Sequence, residues 1–190
     1  MTPRLLKEES LVTWLAPSPG TELQVESLTL RLRGIAPSRR EVGNELLSFR
    51  VMLVEDFSWF RDFVRSKLEQ RSELQVVCEV SDGLQAVEHA AALQPDLILL
   101  DIGLPSLNGM EVARRVRELV PNSKIIFLSQ EKTAILIKEA IGLGAWGYVF
   151  KSHAEGDLLP AIDAALSGRR YVSGDPERLD VALADNSATI

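Results

Sequence analysis

Short runs of β-forming residues alternate five times with amphipathic stretches between residues 50 and 173, and that rhythm leaves few folds open. The runs are Arg50–Glu55, Gln75–Val80, Asp96–Asp101, Lys124–Ser129 and Gly147–Phe150. The stretches that follow them are Ser58–Gln70, Gly83–Leu93, Gly109–Leu119, Thr133–Leu143 and Glu155–Leu166. Ile135, Leu136, Ala140 and Ile141 recur at helical spacing. Leu97-Ile98-Leu99-Leu100 is apolar without a break, which suits a central strand covered on both sides. Strands alternating with helices of this length predict βαβ units, a parallel sheet and helices on both faces: an α/β three-layer sandwich. In such sheets ligands bind beyond the carboxyl ends of the strands, so those ends are the places to look for chemistry.

The first run closes on Glu55-Asp56, the third on Asp101 and the fourth on Ser129, while the fifth leads into Lys151. A parallel sheet brings these three carboxylates, the hydroxyl and the ammonium to one edge. Carboxylates held together repel one another, a cost that a cation among them offsets. A few hard oxygen ligands favour Mg²⁺, which keeps waters and accepts a phosphate oxygen. The set suits phosphoryl transfer to a carboxylate, with Asp101 as the nucleophile. Glu55 and Asp56 hold the metal in this reading, directly or through water, and Asp101 is a further ligand. Ser129 and Lys151 each contact a phosphoryl oxygen. A lone strand-end aspartate more often caps a helix, and a lone lysine is usually just solvated. Five such residues at four strand ends carry a weight that none has alone.

Four segments then matter together: Val51-Met52-Leu53-Val54-Glu55-Asp56, Leu99-Leu100-Asp101-Ile102-Gly103-Leu104-Pro105 with Asn108-Gly109, Phe127-Leu128-Ser129, and Gly147-Tyr148-Val149-Phe150-Lys151-Ser152. They resemble the receiver domains of bacterial two-component response regulators, over residues 50 to about 170. Lys151-Ser152, followed by Ala154, Asp157-Leu158-Leu159 and Ala161-Ile162, is similar to the NarL-type branch. The resemblance implies a flavodoxin-like sheet of five strands in the order 2-1-3-4-5 with five helices, spanning residues 50–172. It implies an aspartyl phosphate on Asp101, taken from a sensor histidine kinase, and Mg²⁺ whose shell the Gly103 carbonyl completes. It also implies a phospho-accepting switch rather than an enzyme, with slow autodephosphorylation only. Ser129 and Tyr148 are the expected switch pair, the hydroxyl moving to the phosphoryl group and the ring turning inward behind it. The readout is expected on the surface of residues 133–166, or through the 58–70 helix, toward an unknown downstream protein or a phosphorylation-dependent homodimer. Glu131, two residues after Ser129, either hydrogen-bonds an attacking water or faces solvent, and Gln130 narrows access. Pro105 supplies a turn, and Gly109 a flexible helix start.

Outside this region the sequence says less. Residues 1–49 hold four of the nine prolines and read as a mostly irregular extension with one hairpin or a short helix, suggested by Leu23, Val25, Leu28, Leu30 and Leu32. Residues 173–190 read as a disordered acidic tail. A net charge of −6 does not suggest a nucleic-acid binder. One cysteine, Cys78, excludes an internal disulfide and suits a reducing cytoplasm. The apolar runs are too short to cross a bilayer, so a cytoplasmic protein without membrane contact is expected. NarL-type receivers normally continue into a helix-turn-helix domain, for which the acidic residues after Arg170 leave no room. A single-domain or truncated regulator is therefore expected, without direct DNA binding from this chain. The alternative is a transcriptional regulator whose DNA-binding domain is missing from it. A haloacid-dehalogenase-type phosphatase needs an acid two residues after the nucleophile, where Gly103 stands. Gly142-Leu143-Gly144-Ala145-Trp146-Gly147 matches a dinucleotide fingerprint in letters, but a helix precedes it and a strand follows, the reverse of what that motif needs. His89 and His153 have no partner at metal-ligand spacing.

Overall fold

The computed structural model describes residues 48–174. The expected irregular segment at the N-terminus, with its hairpin or short helix, and most of the expected acidic tail lie outside the described residues. Six strands form one parallel sheet: β1 (Phe49–Val54), β2 (Leu74–Val80), β3 (Leu97–Asp101), β4 (Lys124–Ser129), β5 (Gly147–Phe150) and β6 (Tyr171–Val172). Their order is β2-β1-β3-β4-β5-β6. Five helices connect them: α1 (Ser58–Leu68), α2 (Gly83–Leu93), α3 (Gly109–Leu119), α4 (Ala134–Gly142) and α5 (Ala154–Leu166).

Period-two alternation sorts the strand side chains into two cores. Met52, Val54, Ile98, Leu100, Phe127 and Tyr148 face α2, α3 and α4, meeting Ala86, Ala90, Val112, Val116, Ile137 and Ile141. Val51, Leu53, Leu97, Leu99, Ile126, Leu128 and Val149 face α1 and α5, meeting Phe60, Val64, Leu68, Leu158, Ala161 and Ile162. Every residue of β3 is buried, so each of its leucines contributes about 1.5–3 kcal/mol of transfer free energy. The expected sandwich, strand order and five helices are therefore present.

The sixth strand is an addition to the expected five. Tyr171 and Val172 lie in register with Gly147 and Tyr148, so β5 is not the edge of the sheet. Ser173, assigned above to a loose tail, is completely buried. The letters of the glycine motif turn out to be chain geometry. Gly142 ends α4, and Gly144 has φ +85, a left-handed turn that glycine takes without penalty. No described helix is long and apolar enough to cross a membrane.

Candidate functional site

Strand order reverses between β1 and β3, which have their neighbours β2 and β4 on opposite sides. The crevice beyond the carboxyl ends of those two strands is the ligand position for a sheet of this kind. Glu55 and Asp56 follow β1 there, Asp101 ends β3, Ser129 ends β4, and Lys151 opens a short 3₁₀ turn after β5. All five positions read from the sequence thus converge.

Lys151 is the centre of the geometry. Its Nζ lies 2.8 Å from Glu55 Oε1 and 2.8 Å from Oε2, and 3.0 Å from Asp101 Oδ1. The Phe60 ring forms a wall 5.0 Å from the same nitrogen. Glu55 is fully buried and Asp101 only 5% exposed. The backbone amide of Phe57 donates to Glu55 Oε1 at 3.2 Å, and Arg61 donates to the Glu55 carbonyl at 2.7 Å. Lys151 directs its hydrogen bond at Oε1, so Glu55 Oε2 is a buried acceptor within the ion pair that receives no hydrogen bond. Burial pushes the Glu55 carboxyl above the usual carboxylate range against the pull of Lys151, and the Asp101 charge adds to the push.

Carboxylate oxygens of Glu55, Asp56 and Asp101 lie within 4.8 Å of one another. One lysine cannot neutralise three carboxylates, and Glu55 Oε2, although 2.8 Å from the ammonium, receives no hydrogen bond. The donor set therefore fits a small divalent cation with oxygen ligands. A cavity of about 400 Å³ opens over the cluster, lined among others by Asp56, Asp101, Gly103, Ser129 and Lys151. Gln130 and Glu131 stand exposed at its rim.

Local chain geometry holds the nucleophile candidate still. Asn108 caps α3 by accepting from the Glu111 amide at 3.0 Å, and the Gly109 amide donates to the Ile102 carbonyl at 2.9 Å. A Cβ at Gly109 would fall 2.0 Å from the Asp101 carbonyl oxygen. Gly109 is there to let the helix end touch β3, a close approach rather than the flexible start expected above. Pro105 accepts from the amides of Gly83 and Leu107, which ties the loop after β3 to the start of α2.

Tyr148 lies inward and fully buried, behind Ser129. Its hydroxyl donates to the Glu131 carbonyl at 3.0 Å, while the Glu131 amide donates to Ser129 Oγ at 3.0 Å. Burial raises the phenol above its ordinary range, and a contact with the Ser129 hydroxyl opposes that rise. Ser129 and Tyr148 are thus joined through one short segment of chain. His89 and His153 are exposed and stand apart from the acidic cluster.

Sequence reading missed Phe60 and Arg61, the two α1 residues that wall and brace the site. Their helical face was legible, but its rotation against β1 was not.

A family model of the response regulator receiver domain matches residues 51–163. The chain belongs to the response-regulator receiver family. Among curated relatives, the receiver is 33% identical to the nitrate/nitrite response regulator protein NarL of Escherichia coli K12 over 123 residues, 65% of this chain. It is 32% identical to the transcriptional regulatory protein LnrK of Bacillus subtilis 168 over 119 residues, 63% of this chain. The chain spans little more than half the length of these relatives, 57% of NarL and 54% of LnrK. Among solved structures, a LuxR-family two-component response regulator from Aurantimonas sp. SI85-9A1 is 30% identical with a TM-score of 0.65, covering 75% of this chain and 99% of that one. The signal receiver domain of the putative response regulator NarL from Mycobacterium tuberculosis is 30% identical with a TM-score of 0.60, covering 64% of this chain and 98% of that one. The receiver is accordingly of the NarL/LuxR type.

Proposed function

We propose that this receiver takes a phosphoryl group onto Asp101 from the phosphohistidine of a sensor kinase in the cytoplasm, and converts it into a change of protein-binding surface. One observation carries the reading: the Lys151 ammonium bridges Asp101 and buried Glu55 at the floor of an open cavity that Ser129 also lines. In the transfer, an Asp101 carboxylate oxygen forms the new P–O bond as the P–N bond to the donor imidazole breaks. The nitrogen keeps the electron pair and takes a proton. Lys151 Nζ and the Ser129 hydroxyl meet the phosphoryl oxygens, where negative charge must be held. Glu55 and Asp56, directly or through water, with Asp101 and the Gly103 carbonyl, are the residues that would hold Mg²⁺. That ion supplies charge neutralisation on the transferring group. Slow hydrolysis by water returns Asp101 and inorganic phosphate, and no other catalysis is assigned.

Phe57 at 60% exposure and Trp59 at 69% form an edge-to-face pair beside the cavity mouth. Exposed aromatic surface of this kind favours a protein partner, here the donor protein that must reach Asp101. Redirection of the Ser129 hydroxyl to the phosphoryl group would disturb the Glu131 segment and the Tyr148 hydroxyl it holds. The changed surface is then that of α4, β5 and α5, offered to a downstream protein or to a second receiver. The receiver unit is assigned to residues 50–172, with 1–49 an extension and the acidic tail following β6.

Beryllofluoride, a phosphoryl mimic, tests this reading. Mg²⁺ and beryllofluoride together should raise the melting temperature by several degrees, and beryllofluoride without Mg²⁺ should not. No shift with both present, in protein shown to be folded, contradicts the proposal.

A further inference from the structure

β6 is only two residues long, yet it is followed by a fully buried polar residue, Ser173. The Ser173 amide donates to the Tyr148 carbonyl at 2.9 Å, and Ser173 Oγ accepts from the Phe150 amide at 3.1 Å. A side chain thus extends the ladder by one rung after the strand itself has ended. Gly174, at φ +89, then turns the chain beside the Phe150 ring, where a Cβ would stand 3.4 Å from it. Phe150 is the residue before Lys151, and the residues that hold it lie beyond the 51–163 span of the family match.

We propose that Ser173 is a positioning residue for Lys151, and that β6 couples the chain that follows it to the phosphoryl site. This rests on the reading of Asp101 as acceptor. Lysine is a flexible four-carbon stem, so where its ammonium stands depends on where its backbone is pinned. Ser173 pins the backbone on both sides of Val149, at Tyr148 and Phe150, at the end of β5. One clamp therefore holds the strand that carries the switch tyrosine and leads directly into the lysine. Linkage makes the effect reciprocal: if a docked Ser173 favours the phosphorylated site, phosphorylation favours a docked Ser173. A partner or domain that pulls on the chain after Gly174 would then alter phosphoryl acceptance.

The test uses the full chain with Mg²⁺ and acetyl phosphate. Ser173→Ala should slow phosphorylation roughly fivefold, the scale of one buried hydrogen bond. Ser173→Thr, which keeps the hydroxyl, should restore most of the rate. Tyr171→Phe breaks the 2.9 Å hydrogen bond from Tyr171 to Asp157, on β6 but away from Lys151, and should leave the rate unchanged. A folded Ser173→Ala protein with the wild-type rate overturns the proposal, as does an equal loss in Tyr171→Phe. Should Ser173→Ala not fold, amide exchange of the wild type decides. Protection at Ser173 and Phe150 must rise with Mg²⁺ and beryllofluoride, and unchanged protection overturns the coupling. If the wild type itself takes no phosphoryl group, the Asp101 reading falls and this proposal with it.

Discussion

Asp101→Asn is expected to abolish Mg²⁺-dependent phosphorylation by acetyl phosphate while the protein stays folded. The neutral amide lacks the negative charge that makes the carboxylate oxygen a nucleophile, and its oxygen, though still a hydrogen-bond acceptor, forms no stable phosphoryl ester. The fold, by contrast, asks little of this side chain. Its ion-pair contact is Lys151 Nζ at 3.0 Å, and an amide oxygen can keep a hydrogen bond there. Removing one carboxylate from the Glu55, Asp56 and Asp101 cluster also lowers the repulsion within it. These effects oppose one another, so unfolding free energy should change by no more than about 1 kcal/mol. Separation on a phosphate-retarding gel beside wild type checks the first expectation, and urea unfolding checks the second. A phosphorylated band that persists in the variant assigns the acceptor elsewhere.

Lys151→Ala should damage both stability and phosphorylation, and Mg²⁺ should repair only the first. The ammonium is within 3.0 Å of Asp101 and 2.8 Å of Glu55, which has no exposure to water. Breaking a buried ion pair by deleting one partner typically costs about 3–5 kcal/mol, because a charge is left stranded. The cost here should fall below that range. Lys151 keeps 11% side-chain exposure, and the Glu55 carboxyl, already pushed up by burial, can take a proton. Mg²⁺ binding to the freed oxygens offsets part of the loss, so the variant should gain more melting temperature from Mg²⁺ than wild type does. Phosphorylation should remain lower by roughly 10²-fold or more even with Mg²⁺, since a fixed donor to the transferring group has gone. Equal stability and equal rate in the variant would show that the observed ion pair does no work at this site.

The strands and helices were legible to within about two residues because local pattern and tertiary burial agree. β3 is apolar throughout and buried throughout, and α2 and α3 begin at the caps Asp82 and Asn108, whose side chains accept from the first-turn amides. The site residues were legible for a topological reason: a parallel sheet delivers every strand's last residue to one edge. What stayed hidden depends on neighbours distant in sequence. Tyr171 and Val172 are too few to show a period, and they form a strand only because β5 offers them an edge. Ser173 sits in a polar stretch that reads as tail, and its burial comes from β5. Gly109 is legible as a glycine but not as a contact, since the space a Cβ would need, 2.0 Å from the Asp101 carbonyl oxygen, is closed by the packing of α3 on β3.

Whether the phosphoryl group rests on Asp101 is read directly by chemical trapping. Wild-type receiver is incubated with Mg²⁺ and acetyl phosphate, reduced with borohydride and digested for peptide mass spectrometry. Borohydride converts an aspartyl phosphate into homoserine and leaves a free aspartate untouched. Homoserine at position 101, dependent on Mg²⁺ and absent without the donor, is the predicted result. Homoserine at position 56, or the one-carbon-longer 5-hydroxynorvaline at position 55, with position 101 still aspartate, would contradict the account.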